Sequence, residues 1–225
     1  MIKTTQYYST IDSTNKQLKE HHHDYRDGTL IYTDYQTDGV GRRGAKWQSA
    51  KGKNLLFSFI LKTRINNPEF VLMRSALAVV KTLERLGIEA KIKLPNDILV
   101  KRKKIAGILI ERKHFVGNQI TIVGIGLNVN EIMVKEEART SIKMIKKKSL
   151  RRRDLLNTFI TYFNQLEDEE MRLLFTQSLL TPTRVKYQNT WFLWGGLTEE
   201  QAVLLQNEEG FVTAPIHEVE FDYSI

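Results

Sequence analysis

Lys93-Leu94-Pro95-Asn96-Asp97-Ile98-Leu99-Val100 runs through a basic turn into Lys104-Ile105-Ala106-Gly107-Ile108-Leu109-Ile110-Glu111. Two short apolar runs on either side of the basic residues 101–104 predict a β-hairpin. Pro95-Asn96-Asp97 adds a second turn signal just ahead of it. Outward from the hairpin, residues 90–94 and 120–129 read as further strands. Residues 55–61 are almost all apolar, which fits a strand covered on both faces. In residues 28–36, Leu30, Tyr32 and Asp34 alternate with Ile31, Thr33 and Tyr35, the period of a strand.

Helices fit between these strands. Asp12-Ser13-Thr14-Asn15 is a helix start, because short polar side chains accept from free backbone N–H groups, and the helix runs through Leu18 towards His21. Asn67-Pro68 predicts a cap followed by proline at the first helical position. Leu72, Ala76, Val79, Val80, Leu83 and Leu86 follow at helical spacing, and Gly87 ends that helix. Leu155, Leu156, Phe159, Ile160, Phe163 and Leu166 make a second amphipathic helix. From about Thr183 short runs alternate with turns expected at Gly195-Gly196 and Glu209-Gly210, which suggests a small β-barrel. A boundary near 180, beside Pro182, divides residues 1–180 from residues 181–225. Trp191, Phe192 and Trp194 read as filling of the barrel core.

The chain has 225 residues, 41% hydrophobic and 27% charged, enough for one good core and a small second module. No run approaches ~18 uninterrupted apolar residues, so no transmembrane helix is expected. The N-terminus shows no secretory signal. With no cysteine, disulfides, thiolate metal sites and a cysteine nucleophile are excluded, and a cytoplasmic location is the expectation. The net charge of +8 fits nucleic acid, nucleotide phosphates or an acidic protein as partner. Seven basic residues fall between 143 and 153. They read as a solvated loop or as a docking surface for an acidic carrier domain or ATP phosphates. His21-His22-His23 does not read as a metal site, because consecutive helical residues point apart.

Three motifs carry chemistry. Gly39-Val40-Gly41-Arg42-Arg43-Gly44-Ala45-Lys46-Trp47 combines glycines, which let backbone N–H groups approach an anion, with the cations Arg42, Arg43 and Lys46. It is neither a Walker A loop nor a Rossmann fingerprint. By itself it reads first as a basic surface turn. Lys104 opens an apolar strand, from which its ammonium can point into a pocket. In Gly124-Ile125-Gly126-Leu127-Asn128-Val129-Asn130, glycines within a strand suggest close approach of a ligand or another backbone.

In this order, Ser13-Thr14-Asn15, the glycine–arginine run with Trp47, Lys-x-Pro-Asn-Asp, Lys-Ile-Ala-Gly-Ile-Leu-Ile-Glu and Gly-Ile-Gly-Leu-Asn-Val-Asn resemble the biotin–protein ligase family. The resemblance runs from about Tyr8 to the C-terminus and is densest from Asp12 to Asn130. It implies an α+β fold: a mixed β-sheet backed by helices, then a small SH3-like C-terminal barrel. It implies activation of biotin by ATP to biotinyl-adenylate, then transfer to a lysine of a biotin carboxyl carrier domain of a carboxylase, with Mg²⁺ accompanying ATP and no fixed metal site. Arg42 and Lys104 are implied as catalytic cations. Ser13, Thr14, Asn15 and Gln36 line the biotin ring, and the backbone of Val40 and Gly41 closes the pocket. Arg43, Lys46 and Asn128 fall on the adenylate side, and Asp97 near Mg²⁺ or the incoming lysine. A homodimer through sheet edges is one assembly the resemblance allows.

Three positions depart from the family pattern. Arginine is usual at Val40, tryptophan at Leu94, and a basic residue at or beside Ala45. The expectation is an active ligase that holds its adenylate less tightly, with Leu94 altering an apolar pocket wall. Ser13 follows Met1 by only twelve positions, so no DNA-binding domain and no sequence-specific DNA binding are expected. Rival readings are a lipoate–protein ligase, whose Arg-Arg-x-Ser-Gly-Gly-Gly pattern is spaced differently, a biotin-binding paralogue with weak activation, and a basic nucleic-acid-binding module.

Overall fold

The computed structural model describes residues 1–62, 68–115, 118–132, 138–207 and 210–224. In chain order its elements are β1 (Thr4–Tyr8), α1 (Thr14–Glu20), β2 (Thr29–Thr33), β3 (Leu55–Leu61), α2 (Pro68–Glu84), β4 (Lys91–Lys93), β5 (Asp97–Val100), β6 (Lys103–Phe115), β7 (Asn118–Leu127), α3 (Ile142–Lys146), α4 (Arg152–Gln165) and α5 (Asp168–Ser178). The strands form one sheet in the order β1-β2-β3-β7-β6-β5-β4. β1 and β2 are parallel and the other pairs antiparallel, so the sheet is mixed as expected.

Both faces of the central strands are covered, which explains the continuous apolar run in β3. Phe57 and Phe59 point to one face, where they meet Phe159 and Phe163 of α4 edge-on at 4.8 Å. Met73, Ala76, Leu77, Val80 and Leu83 of α2 complete that core, together with Val123 and Ile125 of β7. Ile60 and Ile122 point the other way, against Leu18 of α1. The expected cap at Asn67 lies outside the described residues. α2 ends as expected, with Gly87 at φ +67°. Ser13 caps α1 by accepting from the Lys16 N–H.

A second sheet begins at Arg184. β8 (Arg184–Tyr187), β9 (Thr190–Leu197), β10 (Val203–Asn207), β11 (Gly210–Ala214) and β12 (Glu220–Asp222) lie in the order β11-β10-β9-β8-β12, all antiparallel. β11 and β12 are its two edges and do not pair with each other among the described residues, so the expected barrel is not closed. Gly195 and Gly196 are not a turn. They lie inside β9, where the register to β10 shifts between Leu204 and Leu205. A Cβ on Gly195 would meet the Leu204 carbonyl oxygen at 2.9 Å. Glu209 of the other expected turn lies outside the described residues. Trp191 is 46% exposed, not core, whereas Phe192 and Trp194 pack against the core.

The second sheet holds the turn ahead of β5. The Tyr223 hydroxyl donates to the Leu94 carbonyl at 3.2 Å, and Arg102 donates to the Tyr223 carbonyl at 2.9 Å. Burial raises the Tyr223 phenol above its ordinary value. Leu94 itself is buried in the core and does not line the cavity described below. The expectation that it forms a pocket wall is therefore corrected. Its side chain follows the alternation of the strand inward.

Candidate active site

Strand register builds the floor of a cavity of about 280 Å³. Leu56, Gly126 and Gly107 stand in one row across β3, β7 and β6, and Ser58, Gly124 and Leu109 in the next. Where the rows carry glycine, other side chains sink in. A Cβ on Gly126 would stand 2.4 Å from the Trp47 indole, and one on Gly124 would stand 2.0 Å from Asn15 Oδ1. Sequence reading expected the close approach of a ligand or another backbone here; the approaching groups are instead two side chains of this chain, Asn15 and Trp47.

α1 supplies one wall. Thr14 donates to Gln36 Oε1 twice, from its N–H at 2.8 Å and its hydroxyl at 3.0 Å. With its oxygen so engaged, Gln36 has its amide N–H groups to offer to the cavity. Ser58 Oγ lies 2.6 Å from both Thr14 Oγ1 and Asn15 Oδ1. Asn15 Nδ2 donates to Glu111 at 2.9 Å, and Glu111 also pairs with Lys19 at 2.7 Å. Asn15 is thus a braced part of the wall. Ser58, the one polar residue of β3, was not singled out from sequence, although a serine in an otherwise apolar strand is a readable signal.

The glycine–arginine run forms a small self-bonded hairpin that lines the cavity. The Trp47 N–H donates to the Gly39 carbonyl at 2.9 Å, and the Gly41 N–H to the Ala45 carbonyl at 2.6 Å. Gly41 therefore spends its N–H inside the loop, and the cationic side chains remain to meet an anion. Arg42 and Lys46 line the cavity; Arg43, at the exposed tip with φ +55°, does not. Val40 lines it too but is 43% exposed. Burial pulls the Arg42 guanidinium below its ordinary value, Arg43 repels it, and Asp97 opposes both.

The far end is cationic. Lys104 Nζ stands 2.6 Å from Asp97 Oδ1, as an ion pair without hydrogen-bond alignment at that oxygen, and 5.6 Å from the centre of the Trp47 ring. Arg42 reaches Asn96 Oδ1 at 3.4 Å. The Trp47 indole N–H is buried without a partner among the described residues. Asn128 is fully buried outside the cavity, and its amide donates to the Thr140 carbonyl at 3.1 Å and the Lys104 carbonyl at 3.4 Å. It holds the strand that presents Lys104. Among the described residues no group of three His, Asp or Glu side chains gathers to hold a metal ion. No described helix is long and apolar enough to cross a membrane.

The cavity therefore has a neutral polar end at Thr14 and Gln36, an apolar middle at Trp47 and Leu56, and a cationic end at Arg42 and Lys104. A molecule with a polar head and a carboxylate tail matches that sequence of surfaces. The profile of the Biotin/lipoate A/B protein ligase family matches residues 7–130, more than half the chain. The chain belongs to this family. The bifunctional ligase/repressor BirA of Bacillus subtilis is 38% identical over 131 residues, which is 56% of this chain and 40% of that protein. This chain thus matches well under half the length of that relative. Biotin–protein ligase 1, chloroplastic, of Arabidopsis thaliana is 27% identical over 88% of this chain and 54% of its own. Among solved structures, the biotin protein ligase of Aquifex aeolicus in complex with biotin and ATP superposes with a TM-score of 0.85 at 28% identity, covering 99% of this chain and 100% of that one.

Proposed function

We propose that the chain is a biotin–protein ligase. The observation that carries this reading is the graded cavity, which offers the Gln36 amide N–H groups and the Ser13 hydroxyl at one end and the cations Arg42 and Lys104, the latter paired with Asp97, at the other. A ureido ring is neutral and polar, and its burial requires matched partners. Thr14, Gln36 and Ser13 are the groups that suit it. Asn15, braced by Ser58 and Glu111, keeps their wall in place.

A carboxylate entering between Arg42 and Lys104 meets the cations that the first half-reaction needs. One carboxylate oxygen bonds the α-phosphorus of ATP, the bond from that phosphorus to the bridging oxygen breaks, and pyrophosphate leaves with the electron pair. Two anions must come together, and preorganised donors supply the stabilisation. No enzyme nucleophile is required. Magnesium arrives with the ATP phosphates as part of the substrate. In the second half-reaction a neutral lysine amine of an acceptor protein attacks the mixed anhydride and AMP leaves. Asp97, beside Lys104, is suited to take the proton that the amine gives up. The acceptor chemistry implied by the family is a carrier domain of a carboxylase. An SH3-like origin for the second sheet remains part of the same proposal, with an open arrangement of its strands.

ATP–pyrophosphate exchange tests the reading, with Mg²⁺ present and biotin or lipoate added in parallel. Exchange that depends on biotin is the expected result. Exchange with lipoate alone moves the chain to the other branch of the family. Tight biotin binding without exchange makes it a binding paralogue.

A further inference from the structure

None of the basic residues between 143 and 153 borders the cavity of the site. The fold sorts them by what they touch. Lys143 is half-buried in α3, and Lys146 extends towards Gly87. Arg152 turns inward, donating to Asp34 at 2.7 Å and to the Asn54 carbonyl at 3.2 Å. Lys147, Lys148, Arg151 and Arg153 stay exposed.

A second basic segment is held beside them. The Asn130 N–H donates to the Lys53 carbonyl at 2.8 Å, while the Asn130 side chain accepts from the Leu150 N–H and donates to the Leu150 carbonyl, both at 2.9 Å. The Gly52 N–H donates to the carbonyl of Asp34, the residue whose carboxylate holds Arg152. Lys51 and Lys53, both exposed, are thereby laid next to the loop that carries Lys147, Lys148 and Arg151. None of these six exposed cations makes an ion pair or a side-chain hydrogen bond among the described residues. The acids nearby do not balance them. Asp34 is taken by Arg152, Glu131 accepts from the Ala50 N–H and the Asn54 amide, and Asp154 is a single exposed carboxylate. Such a surface works against its own fold. Like charges repel, and Arg151 to Arg153 stand at the start of α4, where the helix dipole disfavours cations and Arg151 supplies no side-chain cap. A polyanion laid across the surface relieves both.

We propose that this surface binds the phosphate backbone of double-helical DNA without regard to sequence. The proposal goes beyond the ligase reading and does not depend on it. The make-up of the surface selects the partner. A protein partner calls for an apolar centre ringed by polar groups, and the apolar residue of the loop, Leu150, is packed against the core. Single strands are held by stacking their bases on aromatic rings, and neither 51–53 nor 146–153 contains one. Duplex phosphates need only cations on a surface broad enough to meet several of them. Contacts of that kind carry no sequence information, so this binding is compatible with the absence of operator-selective recognition.

The test titrates the full chain into a short fluorescent DNA duplex of random sequence over a range of salt concentrations, beside ATP–pyrophosphate exchange. The logarithm of affinity should fall linearly with the logarithm of salt, by about 0.9 for each phosphate neutralised. The triple variant Lys147→Ala, Lys148→Ala, Arg151→Ala should lose roughly 2.7 of that slope and about tenfold or more in affinity at moderate salt. The double variant Lys51→Ala, Lys53→Ala changes the other segment, should lose roughly 1.8 of the slope, and keeps the idea testable should the triple variant not fold. Arg184→Ala with Lys186→Ala, a pair of exposed cations on the second sheet, should leave the slope as it is. An equal loss in that control pair overturns the proposal, because net charge alone would then account for the binding. So do slopes unchanged in both basic variants. Tighter binding to duplex RNA, to single strands or to polyglutamate than to duplex DNA overturns the choice of partner. A raised KM for ATP in the basic variants with DNA affinity unchanged assigns the cluster to ATP phosphates instead and overturns it as well.

Discussion

Trp47 carries Lys104 and Arg139 about its ring at 5.6 and 5.8 Å, and Trp191 carries Arg184 and Lys186 at 5.0 and 6.0 Å. The local chemistry is the same in both places, an indole with two cations. The origins differ. Lys186 sits directly across from Trp191 in the β8–β9 ladder, and Arg184 is two residues along the same strand face. Those cations follow from local register, and the indole stays 46% exposed. Around Trp47 the cations come from two distant segments, and the ring lies in a hollow that two strands leave by carrying glycine. An indole with cations beside it is therefore not by itself a site. The hollow and the convergence of distant segments distinguish the two.

The sharpest way to break this comparison is to fill the hollow. Gly126→Ala puts a methyl group 2.4 Å from the indole, so Trp47 must move. A displacement of that size is expected to lower biotin-dependent exchange by about a hundredfold. Gly196→Ala, in the strand that bears Trp191, meets nothing within 4 Å but sits at φ +111°. It should cost ~1–2 kcal/mol of stability through backbone strain and leave exchange unchanged. Exchange rates and melting curves for the pair decide the matter. Equal losses of activity would remove the distinction between the two tryptophans.

The cations come next. Lys104→Ala should cost about 2.7–4 kcal/mol in the activation step, as removal of an oxyanion-type donor does. Lys186→Ala should change stability by no more than about 0.5 kcal/mol and exchange not at all. Single-turnover formation of the adenylate reads the first, and thermal unfolding the second. A Lys104→Ala enzyme with near-normal single-turnover rate would place the chemistry elsewhere.

These contrasts show what the sequence could express. Strands β3, β5, β6 and β7 were legible because each buries at least one face and so carries an apolar signal. The helix start at Ser13 was legible because capping is a local act. β1 was not, since four of its five residues are exposed and it takes its place only by pairing with β2. α5 was missed because its first turn is Asp168, Glu169 and Glu170, and only Met171 and Phe175 are buried. At the site, Ser13, Thr14, Gln36, Arg42 and Lys104 line one cavity. Asn128 does not border the cavity, and neither does Leu94, because burial consumed both side chains. Arg139 was invisible, since its place beside Trp47 depends on a bridge to Lys104, far away in the chain.

A smaller effect sharpens the comparison at the joint between its two regions. Tyr223→Phe deletes the hydrogen bond to the Leu94 carbonyl, through which the second sheet holds the turn carrying Asn96 and Asp97. The loss should be about 1 kcal/mol in unfolding. If exchange falls together with stability, the second sheet takes part in shaping the site. If stability alone falls, the joint is only structural.

Asp222 gives the last and smallest contrast, through pH. Its carboxylate accepts from the Ser224 N–H at 2.9 Å and the Ser224 hydroxyl at 2.7 Å, and it pairs with Arg184, the cation that covers Trp191, at 3.1 Å. Those partners, the Ser224 hydroxyl first, lower its pKa from 3.8 to about 2. A carboxyl whose pKa falls on folding stabilises the folded state fully above its unfolded value, and that stabilisation disappears as pH drops through the folded one. The contribution of Asp222 is thus complete above pH 3.8 and lost on the way down to about pH 2. Asp222→Asn removes that dependence, so its unfolding midpoint should vary less over the same window than that of the natural chain. Tryptophan emission during thermal unfolding follows this directly, because release of Arg184 changes the surroundings of Trp191. Identical pH slopes for the two proteins would mean that Arg184 covers the exposed indole without help from Asp222, and that strand register alone builds the surface pair.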